Sequence, residues 1–162
     1  METKEIIGKN YTGKWNGVRT ACRCVVLSRG MLLLSYESAA GVYMIPGGGL
    51  EPGESEEGCC MREVAEETGY TVSLSPCLLE IDEYYGDMKY VSRYFSGTVT
   101  GRCETALTEA EKRGGLEPRW LPAPDALGIF SAHSDPGCKD EVKRGIYERE
   151  YEALRRILGT HS

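Results

Sequence analysis

Three carboxylates, Glu63, Glu66 and Glu67, fall at i, i+3 and i+4, a short distance after the run Gly47-Gly48-Gly49. On a helix this spacing brings all three to one face, within a single turn. Like charges so close repel, and the arrangement contributes nothing to folding by itself. A hard divalent cation, which takes oxygen ligands, converts that repulsion into a binding site. Mg²⁺ or Mn²⁺ held by carboxylates commonly grips phosphate oxygens as well, so these residues point to diphosphate chemistry. Glycines beside such a cluster let the backbone approach an ion or phosphate without side chains intervening, although after Pro46 they also suit a tight turn. Plain solvation is the competing explanation of any acidic helix face, and it is kept for Glu56 and Glu57.

The pattern around the cluster is specific. From Gly48 the chain runs five residues to Glu54, seven more to Arg62-Glu63-Val64, one to Glu66-Glu67, and one to Gly69-Tyr70. This resembles the Nudix box, with Tyr70 the one departure, at a position that is aliphatic in the family. Tyrosine is apolar enough to pack in a strand, so nothing catalytic depends on the change.

The resemblance implies an α+β fold, a mixed β-sheet sandwiched between α-helices, with residues 1–162 forming one domain. It implies a metal-dependent pyrophosphohydrolase cleaving the diphosphate bond of a nucleoside diphosphate linked to another group. A nucleoside triphosphate or an oxidised nucleotide is the first choice of substrate, and Mg²⁺ or Mn²⁺ is the cofactor. By the same resemblance, a carbonyl of Gly47 or Gly48 and the carboxylates of Glu66 and Glu67 hold the metal. Glu63 is a further ligand or steers the attacking water. Arg62 orients box carboxylates, Glu54 among them; its simpler reading is a surface ion pair worth less than about 1 kcal/mol. The catalytic candidates are thus Arg62, Glu63 and Glu67, while Gly48, Glu54 and Gly69 shape the box. The general base is Glu63 or a loop acid, for which Glu104, Glu109 and Glu111 are candidates and a solvated surface the simpler reading.

Two other functions share this fold. A nucleotide-sensing domain would bind without cleaving, but such domains lose box acids, and here all are present. An isoprenoid diphosphate isomerase would need further catalytic residues that the sequence does not reveal. Nothing after the box resembles the signatures of the NADH-cleaving or coenzyme A-cleaving subfamilies. For a purine base, Tyr36, Tyr43, Tyr84, Tyr85, Tyr90 and Trp120 are the available stacking residues.

Bulk properties are consistent with such an enzyme. The chain of 162 residues is 41% hydrophobic and 27% charged, proportions of an ordinary globular domain with a sizeable core. A net charge of -6 argues against binding long nucleic acid through its phosphates. The expected partners are a small-molecule nucleotide or another diphosphate, with neither nucleic acid nor a membrane; a homodimer is compatible with this. Seven cysteines without Cys-x-x-Cys spacing, and two histidines, His133 and His161, make a zinc site a poor reading. Reduced thiols in a cytoplasmic protein fit better, and the first ten residues do not look like a signal peptide.

The elements that must position the acids can also be read. Val18 to Leu27 alternates as a strand, with Val18, Thr20, Cys22, Cys24 and Val26 on one face, and Met31 to Tyr36 is its hairpin partner after Arg29-Gly30. Val42 to Ile45 is a short strand entering the glycines. Ser55 N-caps the box helix and Gly69 C-caps it. Tyr70 to Tyr84 and Lys89 to Thr100 read as two long strands around Gly86-Asp87, and Gly101 to Gly115 as a loop. Leu116 to Leu121 reads as an edge strand because of Pro118. Lys139 to Leu158 reads as an amphipathic helix, with Val142, Ile146, Ala153, Leu154 and Ile157 inward.

Overall fold

The computed structural model of the chain describes residues 1–159. In order they form β1 (Glu2–Ile7), β2 (Gly17–Ser28), β3 (Met31–Glu37), β4 (Val42–Met44), β5 (Gly47–Gly49), α1 (Glu56–Thr68), β6 (Tyr70–Leu74) and β7 (Leu79–Tyr85). There follow β8 (Met88–Arg102), α2 (Glu109–Gly114), β9 (Leu116–Pro122), α3 (Ala123–Phe130), a 3₁₀ turn (Ser131–Ser134) and α4 (Glu141–Gly159). His161 lies outside the described residues.

β2 and β8 run parallel at the centre, from Gly17 beside Met88 to Val26 beside Gly97. The sheet continues in the order β1-β7-β8-β2-β3-β4, while β5 adds to β2, β6 to β8 and β9 to β3. Because side chains alternate along a strand, β2 feeds two cores. Cys22, Cys24 and Val26 pack under α1 with Cys59, Cys60, Val64 and Phe95. Val25 packs on the opposite face with Ile81, Tyr94, Leu154 and Ile157 of α4. The result is the expected mixed sheet between helices. Small thiols line the α1 seam, Cys22 facing Cys59 and Cys24 facing Cys60, and burial pushes the Cys22 thiol up so that it stays protonated.

Several expectations need correction. The span from Tyr70 to Tyr84 is two strands, interrupted at Ser75–Leu78, where Pro76 has no N–H to donate. β8 is long enough to pair with both, β7 along residues 88–94 and β6 along 97–102. The segment from Gly101 to Gly115 is not all loop. It contains α2, started by a capping box in which the Thr108 hydroxyl accepts the Glu111 N–H and the Glu111 carboxylate accepts the Thr108 N–H. That Thr-x-x-Glu signal was present in the sequence. Two further elements have weak sequence signals: β1 is a charged edge strand with only Ile6 buried, and α3 is short, with a proline in its first turn.

α4 starts at Glu141, and Val142 is 74% exposed, not inward. The first turns of α4 project past the core, which begins at Tyr147. Pro118 does mark an edge, since β9 pairs with β3 alone. No described helix is long and apolar enough to cross a membrane.

Gly69 ends α1 in the left-handed region at φ 75°, donating its N–H to the Ala65 carbonyl. A β-carbon there would also lie 3.0 Å from the Cys103 carbonyl oxygen. Gly69→Ala should therefore cost roughly 1–2 kcal/mol in urea unfolding, with the native fold retained. An unchanged midpoint would contradict this account of the helix end.

Candidate active site

The glycine run forms β5, antiparallel to β2, with Gly48 beside Cys22 and Gly47 beside Arg23. Backbone neighbours exclude a side chain at Gly47, whereas at Gly48 a side chain would displace the Glu63 carboxylate. A β-carbon on Gly47 would come within 2.7 Å of the Arg23 Cα, and one on Gly48 would lie 2.5 and 2.6 Å from the two Glu63 carboxylate oxygens. Glu63 thus lies directly against the Gly48 backbone.

α1 carries the rest. The Ser55 hydroxyl accepts the Gly58 N–H at 3.0 Å, and Glu56 and Glu57 occupy the positive end of the helix. Cys59, Cys60, Val64 and Thr68 face the core, which turns Arg62, Glu63 and Glu66 outward. Arg62 grips Glu54 with two bonds, Nε to Oε2 at 2.6 Å and Nη2 to Oε1 at 3.0 Å. Its Nη1 donates to Glu63 at 3.0 Å and to Glu66 at 3.2 Å, and Nη2 reaches the Gly49 carbonyl at 3.3 Å. One guanidinium therefore ties the loop to three carboxylates. Its hydrogen bonds hold the Glu54 carboxyl down to about 2.

Glu67 turns inward. Its Oε2 accepts the Gly47 N–H at 3.2 Å and the Ser35 hydroxyl at 3.1 Å. Burial, followed by the charge of Glu63, pushes it up to about 8 despite those donors. Burial also raises Glu63, against the pull of Arg62. Glu111 adds negative potential to both, so α2 brings that acid toward the cluster. Of the other loop acids, Glu104 is exposed and Glu109 pairs with Lys112 at 3.4 Å.

Among the described residues no three acidic, histidine or cysteine side chains converge on one point, and Arg62 supplies the positive charge between Glu63 and Glu66. The donors are nevertheless those of a hard cation: carboxylate and backbone oxygens, with two carboxylates raised by burial and like charge. A divalent ion would relieve that excess, and the residue set fits one.

Beyond Gly49, a cavity of about 1030 Å³ opens between the sheet and the first turns of α4. Arg19, Arg23, Tyr85, Tyr90 and Arg144 line it. Its floor holds Glu83 and Arg149, paired at 3.4 Å. Of the six aromatic candidates, only Tyr85 and Tyr90 are here. Tyr36 and Tyr43 stack under Arg119, Trp120 donates to the Tyr70 hydroxyl, and Tyr84 packs on Tyr11. Sequence reading passed over Ser35 and the cavity arginines. Arginines alternating through an otherwise apolar strand, at 19 and 23, were the available signal.

Comparison with known proteins places this geometry. The chain matches the NUDIX domain family over residues 17–141. It is 33% identical over 135 residues to mouse "Diphosphoinositol polyphosphate phosphohydrolase 3-alpha", covering 82% of this chain and 80% of that one. It is 32% identical to a Bacillus subtilis (strain 168) protein named "Putative 8-oxo-dGTP diphosphatase", covering 72% and 74%. Among solved structures, the MutT protein of Methanosarcina mazei Go1 shares the fold at a TM-score of 0.60 and 20% identity, covering 89% of this chain and 96% of that one. The fold and site define a diphosphate-cleaving hydrolase. The chain belongs to the Nudix hydrolase family.

The Glu67 shift has a consequence for stability. Between the ordinary carboxyl value of 4.5 and about 8, the folded protein keeps a proton that the unfolded chain has released. Stability from this residue is therefore lost as pH rises through that window. In metal-free protein, Glu67→Gln should be increasingly more stable than the parent from about pH 5 to pH 8, by on the order of a few kcal/mol. Parallel stability curves from urea unfolding would show that Glu67 is not strained by burial.

Proposed function

We propose that this protein is a divalent-metal-dependent pyrophosphohydrolase acting on a nucleoside diphosphate derivative, with a nucleoside triphosphate or oxidised nucleotide the first choice. The observation that carries the reading is Gly49, which lines the cavity and also offers its carbonyl to Arg62. A substrate lying across Gly49 would have its base in the cavity and its diphosphate against the acids.

In this reading Glu63, Glu66, Glu67 and a carbonyl of Gly47 or Gly48 hold Mg²⁺ or Mn²⁺. The bound ion neutralises phosphate oxygens and lowers the pKa of a water. Arg62 keeps Glu63 and Glu66 in register with Glu54, and Glu67 anchors the loop at Gly47. Glu63 accepts the proton of the attacking water, with Glu111 the alternative base. The water oxygen bonds to phosphorus as the bridging P–O bond breaks, its electron pair leaving with the departing phosphate.

The preference for a nucleoside over an inositol polyphosphate rests on the aromatic and apolar part of the cavity wall. Tyr85 and Tyr90 offer aromatic surface for a base and Ile6 and Ile146 add apolar surface, while Lys9, Arg19, Arg23, Arg144 and Arg149 outnumber Glu83, Glu141 and Glu148 and leave the cavity positive enough for phosphate. Retention of every box acid supports cleavage over sensing. The reading takes the whole chain as one cytoplasmic domain serving small molecules, since β1 and most of α4 complete the sheet and cavity although they lie outside the matched span.

The test is a panel of nucleoside triphosphates, 8-oxo-dGTP, nucleoside diphosphate sugars and a diphosphoinositol polyphosphate, assayed with Mg²⁺ or Mn²⁺. Nucleotide hydrolysis is expected, abolished by EDTA and restored by added metal. Cleavage of the inositol compound alone would overturn the substrate class, and full activity in EDTA would overturn metal catalysis. Glu67→Gln should lose roughly 100-fold or more in kcat while remaining folded. Arg19→Ala should raise KM about tenfold with little change in kcat, the mark of uniform binding; an unchanged KM would remove Arg19 from the substrate site.

A further inference from the structure

Glu150 is a fully buried acid in the apolar face of α4, on the opposite side of the sheet from the box helix. Its Oε1 accepts the Tyr94 hydroxyl at 2.6 Å and Arg149 Nε at 3.0 Å. Its Oε2 accepts the backbone N–H of Ile45. Every donor is itself buried, so the carboxylate has no freedom to move.

Ile45 stands two residues before Gly47. β4 ends the sheet order, and the N–H groups of Tyr43 within it and of Ile45 just after it turn to α4 rather than β3. α4 takes both with side chains one turn apart, the Tyr147 hydroxyl accepting from Tyr43 at 3.2 Å and Glu150 from Ile45. From Ile45 the chain is held at each successive residue. The Pro46 carbonyl accepts the Cys24 N–H at 2.9 Å, and the Gly47 N–H donates to Glu67 at 3.2 Å.

A neutral acceptor would satisfy the Ile45 N–H more cheaply, because an ion pair buried with Arg149 carries a heavy desolvation cost. What the charged group adds is fixed geometry: three donors on two oxygens leave one orientation. Arg149, the residue before Glu150, lines the cavity. A single step of α4 therefore touches the cavity floor and the start of the catalytic loop.

We propose that Glu150 is a positioning residue for the Nudix active site, setting Ile45 and thereby the placement of Gly47 against Glu67. The proposal rests on the metal-site reading above. It acts through the backbone of the loop, and Glu150 touches neither metal nor substrate.

The test compares Glu150→Gln, Tyr94→Phe and Tyr147→Phe in the full chain. Glutamine keeps one acceptor oxygen and loses the charge. Tyr94→Phe removes one of the three donors that hold the carboxylate. Tyr147→Phe loosens the same helix on the same strand, but at Tyr43, farther from the loop. In metal-free protein, exchange of the Gly47 amide should quicken in Glu150→Gln. Its Mn²⁺ affinity, read by electron paramagnetic resonance, should weaken, and its kcat should fall, each by roughly 10-fold or more, with KM within about twofold. Tyr94→Phe should shift the same quantities in the same direction by less, and decides the matter if Glu150→Gln does not fold. Tyr147→Phe should lower stability and leave affinity and kcat within about twofold of the parent. Unchanged Gly47 exchange and Mn²⁺ affinity in both Glu150→Gln and Tyr94→Phe would overturn the proposal, as would an equal effect of Tyr147→Phe. A parent that binds no Mn²⁺ would instead sink the metal-site reading.

Discussion

The site depends on one electrostatic constraint: more carboxylate is gathered beside Gly47–Gly49 than the protein's own cations can balance. Arg62 bonds Glu54, Glu63 and Glu66, whereas Glu67 accepts from neutral donors, Ser35 and the Gly47 amide. Burial prevents solvent from screening what is left. An isolated helix would disperse these charges into water. Here the core face of α1 and the pairing of β5 with β2 hold them together. In the proposed function this excess is what a cation bound with a diphosphate would relieve.

Backbone restraint matters as much as charge. The loop has almost no side chains of its own, so its shape is imposed by neighbours. β2 pairs along one edge, Cys24 holds Pro46, Glu67 holds Gly47, and Arg62 holds Gly49. Glycine at 48 leaves the Glu63 carboxylate the space that a side chain would take. The two helices flanking the sheet both contribute to this restraint, α1 through Glu67 and α4 through Glu150. Glycine loop and cavity are thus built on shared supports.

The relatives' names span two substrate chemistries, a diphosphoinositol polyphosphate and 8-oxo-dGTP. In this chain the cavity beside the box brings arginines from β2 and α4 together with tyrosines from β7 and β8. Mixed charge and aromatic surface there underlie the proposal of a ligand with one apolar, planar portion.

Local spacing made much of this protein legible. The positions of Glu63, Glu66 and Glu67, the cap at Ser55, the left-handed stop at Gly69 and the alternation of β2 are short-range patterns, decided within a turn or a few strand residues. The amphipathic α4 was readable for the same reason, apart from its first turn, which extends past the core. Other features had no local signature. β1 is an edge strand whose place depends on β7, and the break at Pro76 shows only once β8 is seen to accept two partners. Ser35, Glu150 and the cavity arginines come to the site from positions 32 to 105 residues away from the atoms they touch or from separate strands and helices. Helical and strand periodicity dictates which residues share a face. Which faces then meet is decided by packing of the whole chain, because burying apolar surface between distant segments selects one arrangement that no local pattern encodes.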